Sequence, residues 1–257
     1  MTARPAKPTI SQIREISQPV SVTGRSNAEH WVADVYLRRI SPYLTRLLLK
    51  TPITANGVTY LMILTGVSIS GALLIPGYVG ILLALFLSQL QMLWDCCDGE
   101  IARWRGTQSP KGVFLDRVGH YLTESLIPVA FALRLAGWPN EESIDWKLPF
   151  LGALISILIL WNKAFNDIVH VSRAFAGLDK LADSKESGAA TKSWLKLAKA
   201  PFKVFAVQRL FHSVEMSIII AMFGDNKELI SVGLYLALFV TAGHLVSILG
   251  SRKLVRS

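Results

Sequence analysis

Apolar stretches long enough to cross a hydrocarbon layer recur along this chain, and they restrict its fold more than any other feature. A transmembrane helix needs roughly 20 mostly apolar residues, because it must rise through about 30 Å of hydrocarbon at about 1.5 Å per residue. Six stretches approach that length: residues 58–74, 80–93, 112–135, 148–171, 204–223 and 229–249. The fifth is the weakest, since Gln208, Arg209, His212 and Glu215 interrupt it. Backbone in lipid must satisfy its own hydrogen bonds, so the spans are helical. The expected fold is an all-α integral membrane protein with six transmembrane helices. A hydrophobic content of 51% and a mean hydropathy of +0.40 exclude an ordinary soluble domain.

The charges sort by loop. Arg38, Arg39, Arg46 and Lys50 precede the first span, and Arg103, Arg105 and Lys111 separate the second from the third. Arg173, Lys180, Lys185, Lys192, Lys196, Lys199 and Lys203 separate the fourth from the fifth, and Arg252, Lys253 and Arg256 follow the sixth. The alternate loops carry no such excess: residues 76–79 are uncharged, and 138–146 hold Glu141, Glu142 and Asp145. The positive-inside rule then places both termini in the cytoplasm, at the plasma (inner) membrane in a bacterial cell. The formal net charge of +9 points to an anionic membrane face and not to nucleic acid.

Four regions follow. Residues 1–28 form a polar, flexible tail without the apolar core of a secretory signal. Residues 29–51 (EHWVADVYLRRISPYLTRLLLKT) space aromatic and aliphatic residues among basic ones, which predicts an interfacial amphipathic helix broken near Ser41-Pro42. Residues 52–250 form the six-helix domain, with a small, polar, flexible stretch at 184–191, and 251–257 form a basic tail. Cys96 and Cys97, the only cysteines, lack metal-type spacing and read as small apolar packing residues.

Between the second and third apolar stretches lies WDCCDGEIARWRGTQSPKGVFLDRVGH, Trp94 to His120. Carboxylates at a membrane boundary cost free energy and mark function. Asp95 and Asp98 are three apart and share a helical face with Gly99 and Ala102, whose small size lets a ligand approach the backbone. Arg103 follows one turn after Gly99 and suits phosphate oxygens. Gly106 and Pro110 end that helix. On the next, Gly112, Asp116 and His120 recur every four residues on one face. Converging carboxylates repel unless a cation sits between them, and oxygen ligands favour Mg²⁺ or Mn²⁺. Two such ions suit the in-line displacement of a phosphoryl group.

Asp95-x-x-Asp98-Gly99-x-x-Ala102-Arg103, eight residues, then Gly112-x-x-x-Asp116-x-x-x-His120 resembles the signature of the CDP-alcohol phosphotransferases, D-x2-D-G-x2-A-R-x8-G-x3-D-x3-D. Seven of its eight fixed positions match with the spacing intact. The resemblance implies a six-helix membrane enzyme, usually a homodimer. It implies transfer of a phospho-alcohol, such as a phosphatidyl group, from a CDP-linked donor such as CDP-diacylglycerol to an acceptor hydroxyl, with release of CMP. It implies two metal ions on Asp95, Asp98 and Asp116, and a CDP site lined by Gly99, Ala102, Arg103 and Gly112. His120 departs from the pattern, standing where the family has its last aspartate, which serves as general base, metal contact or both. An imidazole can do either, and its unperturbed pKa of about 6.5 suits proton removal near neutral pH. Glu124, one turn on, either accepts a hydrogen bond from the ring, or pairs with a neighbouring base or faces the cavity.

An acceptor pocket is expected further along. Asn162, Asn166, His170 and Arg173 share one face of the fourth span, and Gln208, His212 and Glu215 one face of the fifth, beside Arg209. Arg173 and Arg209 would grip an anionic acceptor, with Asn166, His170 and His212 around it; interhelical hydrogen bonding is the plainer alternative. Lys163 and Asp167 are spaced for a pair, and His244 reads as a packing residue. Competing functions are a transporter for an anionic solute and an impaired, CDP-binding family member.

Overall fold

Helix is the regular structure throughout the described part of this chain. A computed structural model describes residues 5, 8–19, 22, 30–139, 143–178, 210–251 and 254. Outside them lie the basic linker and the polar stretch expected before the fifth span, Glu141, Glu142, Gln208, Arg209 and most of the basic C-terminal tail.

The helices are α1 (Ile10–Ser17), a π-helical turn (Ala33–Leu37) leading into α2 (Arg38–Leu48), α3 (Ala55–Leu73), α4 (Tyr78–Arg105), α5 (Pro110–Leu135), α6 (Lys147–Phe175), α7 (Ser213–Phe223) and α8 (Glu228–Leu249). Four of them, α3, α4, α6 and α8, are long and apolar enough to cross a membrane. Large apolar side chains stand exposed along them, including Leu64, Phe86, Phe150 and Phe239, as lipid-facing positions require. The expected third span, α5, has the length, but Lys111, Asp116, Arg117, Glu124 and Arg134 dilute its apolar character. Of the expected fifth span, residues 204–209 lie outside the described residues, and its described helix is α7, which begins at Ser213, where His212 caps it, and has 11 residues. That is about half of a hydrocarbon crossing.

The helix ends follow local chemistry. Gly106, at φ 66°, closes α4 with the Thr107 N–H donating to Ala102 O at 2.9 Å, a Schellman motif. Ser109 Oγ accepts from Gly112 N at 3.2 Å and starts α5, with Pro110 at the first helical position.

The chain divides into two units, Met1–Gly66 with Phe86–His120, and Val67–Leu85 with Tyr121–Ser257. In the first, Ala55, Val58, Cys97 and Ile101 form a buried apolar cluster against Leu44, Leu48 and Trp94. Both cysteines are buried and free, as packing residues should be. Gly119 brings α5 close to α3, since a Cβ there would collide with Met62 and Ile63.

Two expectations for this unit are corrected. The N-terminal tail is not uniformly loose: Thr9 and Gln12 form a capping box that starts α1, and Ile13 and Ser17 are fully buried. Nor does Pro42 break the next helix, since α2 runs through it. Proline removes the N–H that would bond to Arg38 O, and Gln18 Nε2 donates to that carbonyl instead, at 2.8 Å.

In the second unit Arg134 acts as a staple. Its guanidinium pairs with Asp225 and donates to the carbonyls of Leu73, Ile75 and Gly77, where α3 runs out of hydrogen-bond donors.

Candidate active site

The motif residues come from three helices of the first unit. α4 carries Asp95, Asp98, Gly99, Ala102 and Arg103 on successive turns of one face, and α5 brings Gly112 and Asp116. The start of α3 supplies Asn56 and Thr59. Together with Thr107, Gln108 and Ser109 from the connecting turn, they line a cavity of about 450 Å³. All seven positions that match the sequence signature lie on its wall.

Within it the acidic groups converge. The Asp95 and Asp116 carboxyls lie within hydrogen-bonding reach of each other. His120 Nε2 sits 3.3 Å from Asp95 Oδ1 and 3.7 Å from Asp116 Oδ1. One ligating atom from each of Asp95, Asp116 and His120 falls within 4.8 Å of the others. Asp98, one turn from Asp95, accepts a hydrogen bond from Thr59 Oγ1 at 2.6 Å. Carboxylates brought this close are stable only with a proton or a cation among them. The donor set, oxygens with one imidazole, fits a hard divalent ion or Mn²⁺.

The small residues do what their size suggested. A Cβ on Gly99 would stand 3.0 and 3.2 Å from the Arg103 guanidinium nitrogens, so that side chain lies directly over Gly99. A Cβ on Gly112 would meet Asn56 Oδ1 at 3.2 Å. Arg103 itself is held from behind, its Nε donating to Ser17 O at 2.5 Å.

Sequence reasoning missed four residues here. Asn56 and Thr59 are polar, three apart and at the head of an apolar stretch, a spacing that could have revealed them. Ser109 carried the helix-start signal. Glu100, inside the motif, is fully buried and does not line the cavity. It accepts from Ser41 Oγ at 2.5 Å, Thr45 Oγ1 at 2.7 Å and Gln18 Nε2 at 2.8 Å, with Arg38 Nη1 at 3.6 Å. Only the fold could reveal that set.

Of the expected acceptor residues, Asn166, His170, Arg173 and His212 are described; they lie in the second unit, and the cavity wall contains none of these four. Arg173 and His170 are half-buried near the end of α6, and Asn166 is exposed. His212 caps α7, with Glu215 at 3.7 Å. Asn162 bonds to His244 at 2.9 Å, which makes His244 the packing residue it was expected to be. Lys163 pairs with Glu124, at 2.7 Å, and not with Asp167. Asp167 instead accepts from Tyr121 OH at 2.7 Å. Glu124, 2% exposed, thus has a base, Lys163, as one partner.

A family model described as CDP-alcohol phosphatidyltransferase matches residues 52–242, well over half of the chain. No curated protein matches it.

Proposed function

The chain belongs to the CDP-alcohol phosphatidyltransferase family, and from that premise we propose that it transfers a phospho-alcohol from a CDP-linked donor to an acceptor hydroxyl, releasing CMP. The observation that carries this reading is the cavity wall. Residues scattered from Asp95 to Asp116 converge there as acids, small residues and one arginine. That is what a nucleoside diphosphate needs: flat surface for the base, room near the backbone, and positive charge for the pyrophosphate.

Asp95, Asp98 and Asp116, with His120 beside them, are the residues that would hold Mg²⁺ or Mn²⁺, in one or two sites. When bound, such ions neutralise charge on the phosphate oxygens and lower the pKa of a hydroxyl. The chain's own groups do the rest. Gly99, Ala102 and Gly112 admit the cytidine, and Arg103 holds the pyrophosphate. His120 takes the proton from the acceptor hydroxyl, with Asp95 and Asp116 orienting its ring through Nε2. The hydroxyl oxygen forms a bond to the phosphorus bearing the donor alcohol. The pyrophosphate P–O bond breaks, and its electron pair leaves on CMP.

The wider architecture belongs to the same proposal. Six spans, with α5 and the segment ending in α7 as the two that composition alone does not identify, place the motif and both termini in the cytoplasm. α2 lies at the interface, and two copies associate. CDP-diacylglycerol is the favoured donor, because a lipid tail suits a cavity in a membrane-spanning fold. Arg173, with Arg209, Asn166, His170 and His212, is assigned to an anionic acceptor.

The test is CMP release by the purified full chain in lipid nanodiscs, with CDP-diacylglycerol and a panel of acceptor alcohols. Release should stop with a chelator, return with Mg²⁺ or Mn²⁺, and be lost in Asp116→Asn. Turnover indifferent to chelation and to Asp116 would sink the reading. CDP binding without any release would leave an impaired family member.

A further inference from the structure

α1 ends against the active site. Its last residue, Ser17, is fully buried, and its carbonyl is one of the four that an α-helix leaves without an intrahelical donor. Arg103 Nε supplies that donor at 2.5 Å. A guanidinium at a helix C-terminus also meets the negative end of the helix dipole. With Nε committed, the plane of the guanidinium is set, and its two Nη nitrogens lie over Gly99 on the cavity wall.

The same junction is bolted on the other side. Ser17 Oγ donates to Glu100 O at 3.1 Å. Gln18 Nε2 donates to Glu100 Oε1 and to Arg38 O, each at 2.8 Å. Arg14 Nη2 reaches Arg39 O at 3.2 Å. α1 thus grips α4 at Glu100 and Arg103, and α2 at Arg38 and Arg39. The bonds to α4 reach across more than eighty residues of sequence to a segment that precedes the family-matched region.

We infer that the docked N-terminal helix is a positioning element for the donor site: the Ser17 carbonyl holds the Arg103 guanidinium in the orientation that receives the pyrophosphate. An arginine that is already aligned loses less conformational freedom when phosphate binds. Binding is reciprocal, so a pyrophosphate on Arg103 also strengthens the docking of α1. The inference rests on the donor reading above and names a segment on which that reading depends.

The test uses the full chain in nanodiscs with Mg²⁺ and CDP. Ile13→Asp places a charge in the buried seat of α1, and Gln18→Ala removes its side-chain bonds more gently. Amide exchange over residues 10–17 verifies undocking, and thermal unfolding verifies that the remainder stays folded. Ile13→Asp should weaken CDP by about tenfold, about 1.4 kcal/mol, and raise KM for the donor while leaving kcat at saturation little changed. Gln18→Ala should do the same to a smaller extent. The deciding measurement is the cycle with Arg103→Ala: in that background Ile13→Asp should add nothing, because the residue being positioned is gone. CDP should also slow exchange of the α1 amides in the parent chain and not in Arg103→Ala. Equal losses in both backgrounds would reduce α1 to a structural support and overturn the inference, as would no loss in either. If the parent chain binds CDP but the cycle shows no coupling, the inference alone falls; if the parent does not bind CDP, the donor reading falls and takes the inference with it.

Discussion

Replacing Glu100 separates what its charge contributes from what its shape contributes. The carboxylate is fully buried and accepts three hydrogen bonds of 2.5–2.8 Å from Ser41, Thr45 and Gln18, with Arg38 nearby. A hydrogen bond to an ionised acceptor contributes about 1.5–3 kcal/mol and a neutral one about 0.5–1.5. Glu100→Gln keeps the shape, and the Thr45 hydroxyl can turn to accept from the new amide. Its cost is then about 1 kcal/mol per bond weakened, roughly 3 kcal/mol in all. Glu100→Leu leaves three buried donors without their acceptor, at about 1–3 kcal/mol each, against a transfer gain of about 1.5–3 kcal/mol for the leucine. At mid-range, roughly 6 kcal/mol lost against roughly 2 gained, the net loss is about 4 kcal/mol. Removing the donors as well should recover most of it, since a whole buried polar set exchanges for apolar residues at little cost. Ser41→Ala and Thr45→Val added to Glu100→Leu should therefore be more stable than Glu100→Leu alone. Denaturant unfolding in detergent, with amide exchange over residues 10–17, reads both quantities. A loss below about 1 kcal/mol in Glu100→Leu, or no recovery in the combined variant, would refute the reasoning.

Gly99→Ala places a methyl 3.0 Å from an Arg103 nitrogen, so donor KM should rise several-fold with the fold intact, as steady-state CMP release would show. His120→Ala should lower turnover by about 100-fold or more, while His120→Asp, which would complete the sequence signature, should retain much of it; equal losses would deny the ring a chemical role. Arg134→Met removes one partly paired charge and leaves three carbonyls near the end of α3 without donors. It should cost about 3 kcal/mol in detergent unfolding, lower than for a fully buried pair because Asp225 remains 54% exposed.

Punctuation and periodicity carried much of the fold and most of the donor site into view. Gly106 ends one helix where expected, while Pro110, read as part of the same break, is the first residue of the next, and the recurrence of Gly112, Asp116 and His120 at every fourth residue puts them on one face. Contacts between distant segments were not legible in this way. Nothing in a polar stretch such as TISQIREISQ announces that Ile13 and Ser17 will be buried, and the partners of Ser17, Glu100 and Arg103, lie on another helix. The Lys163–Asp167 spacing was a true helical register, yet a buried carboxylate on a different helix, Glu124, took the lysine. A buried acid has more to gain from a cation than a half-exposed one already served by Tyr121. A shared helical stripe such as the expected acceptor face says which residues point the same way, not what lies in front of them.

Pro42 has a consequence that reaches past its own helix. A regular helix consumes its main-chain acceptors internally and offers a neighbour only side chains, whereas the imino acid leaves the Arg38 oxygen open as a socket for Gln18. A more perfect helix would be a worse receptor: Pro42→Ala should strengthen α2 in isolation while forcing Gln18 to share its socket. An apparent flaw in one element is, on this geometry, the fitting by which another is plugged in.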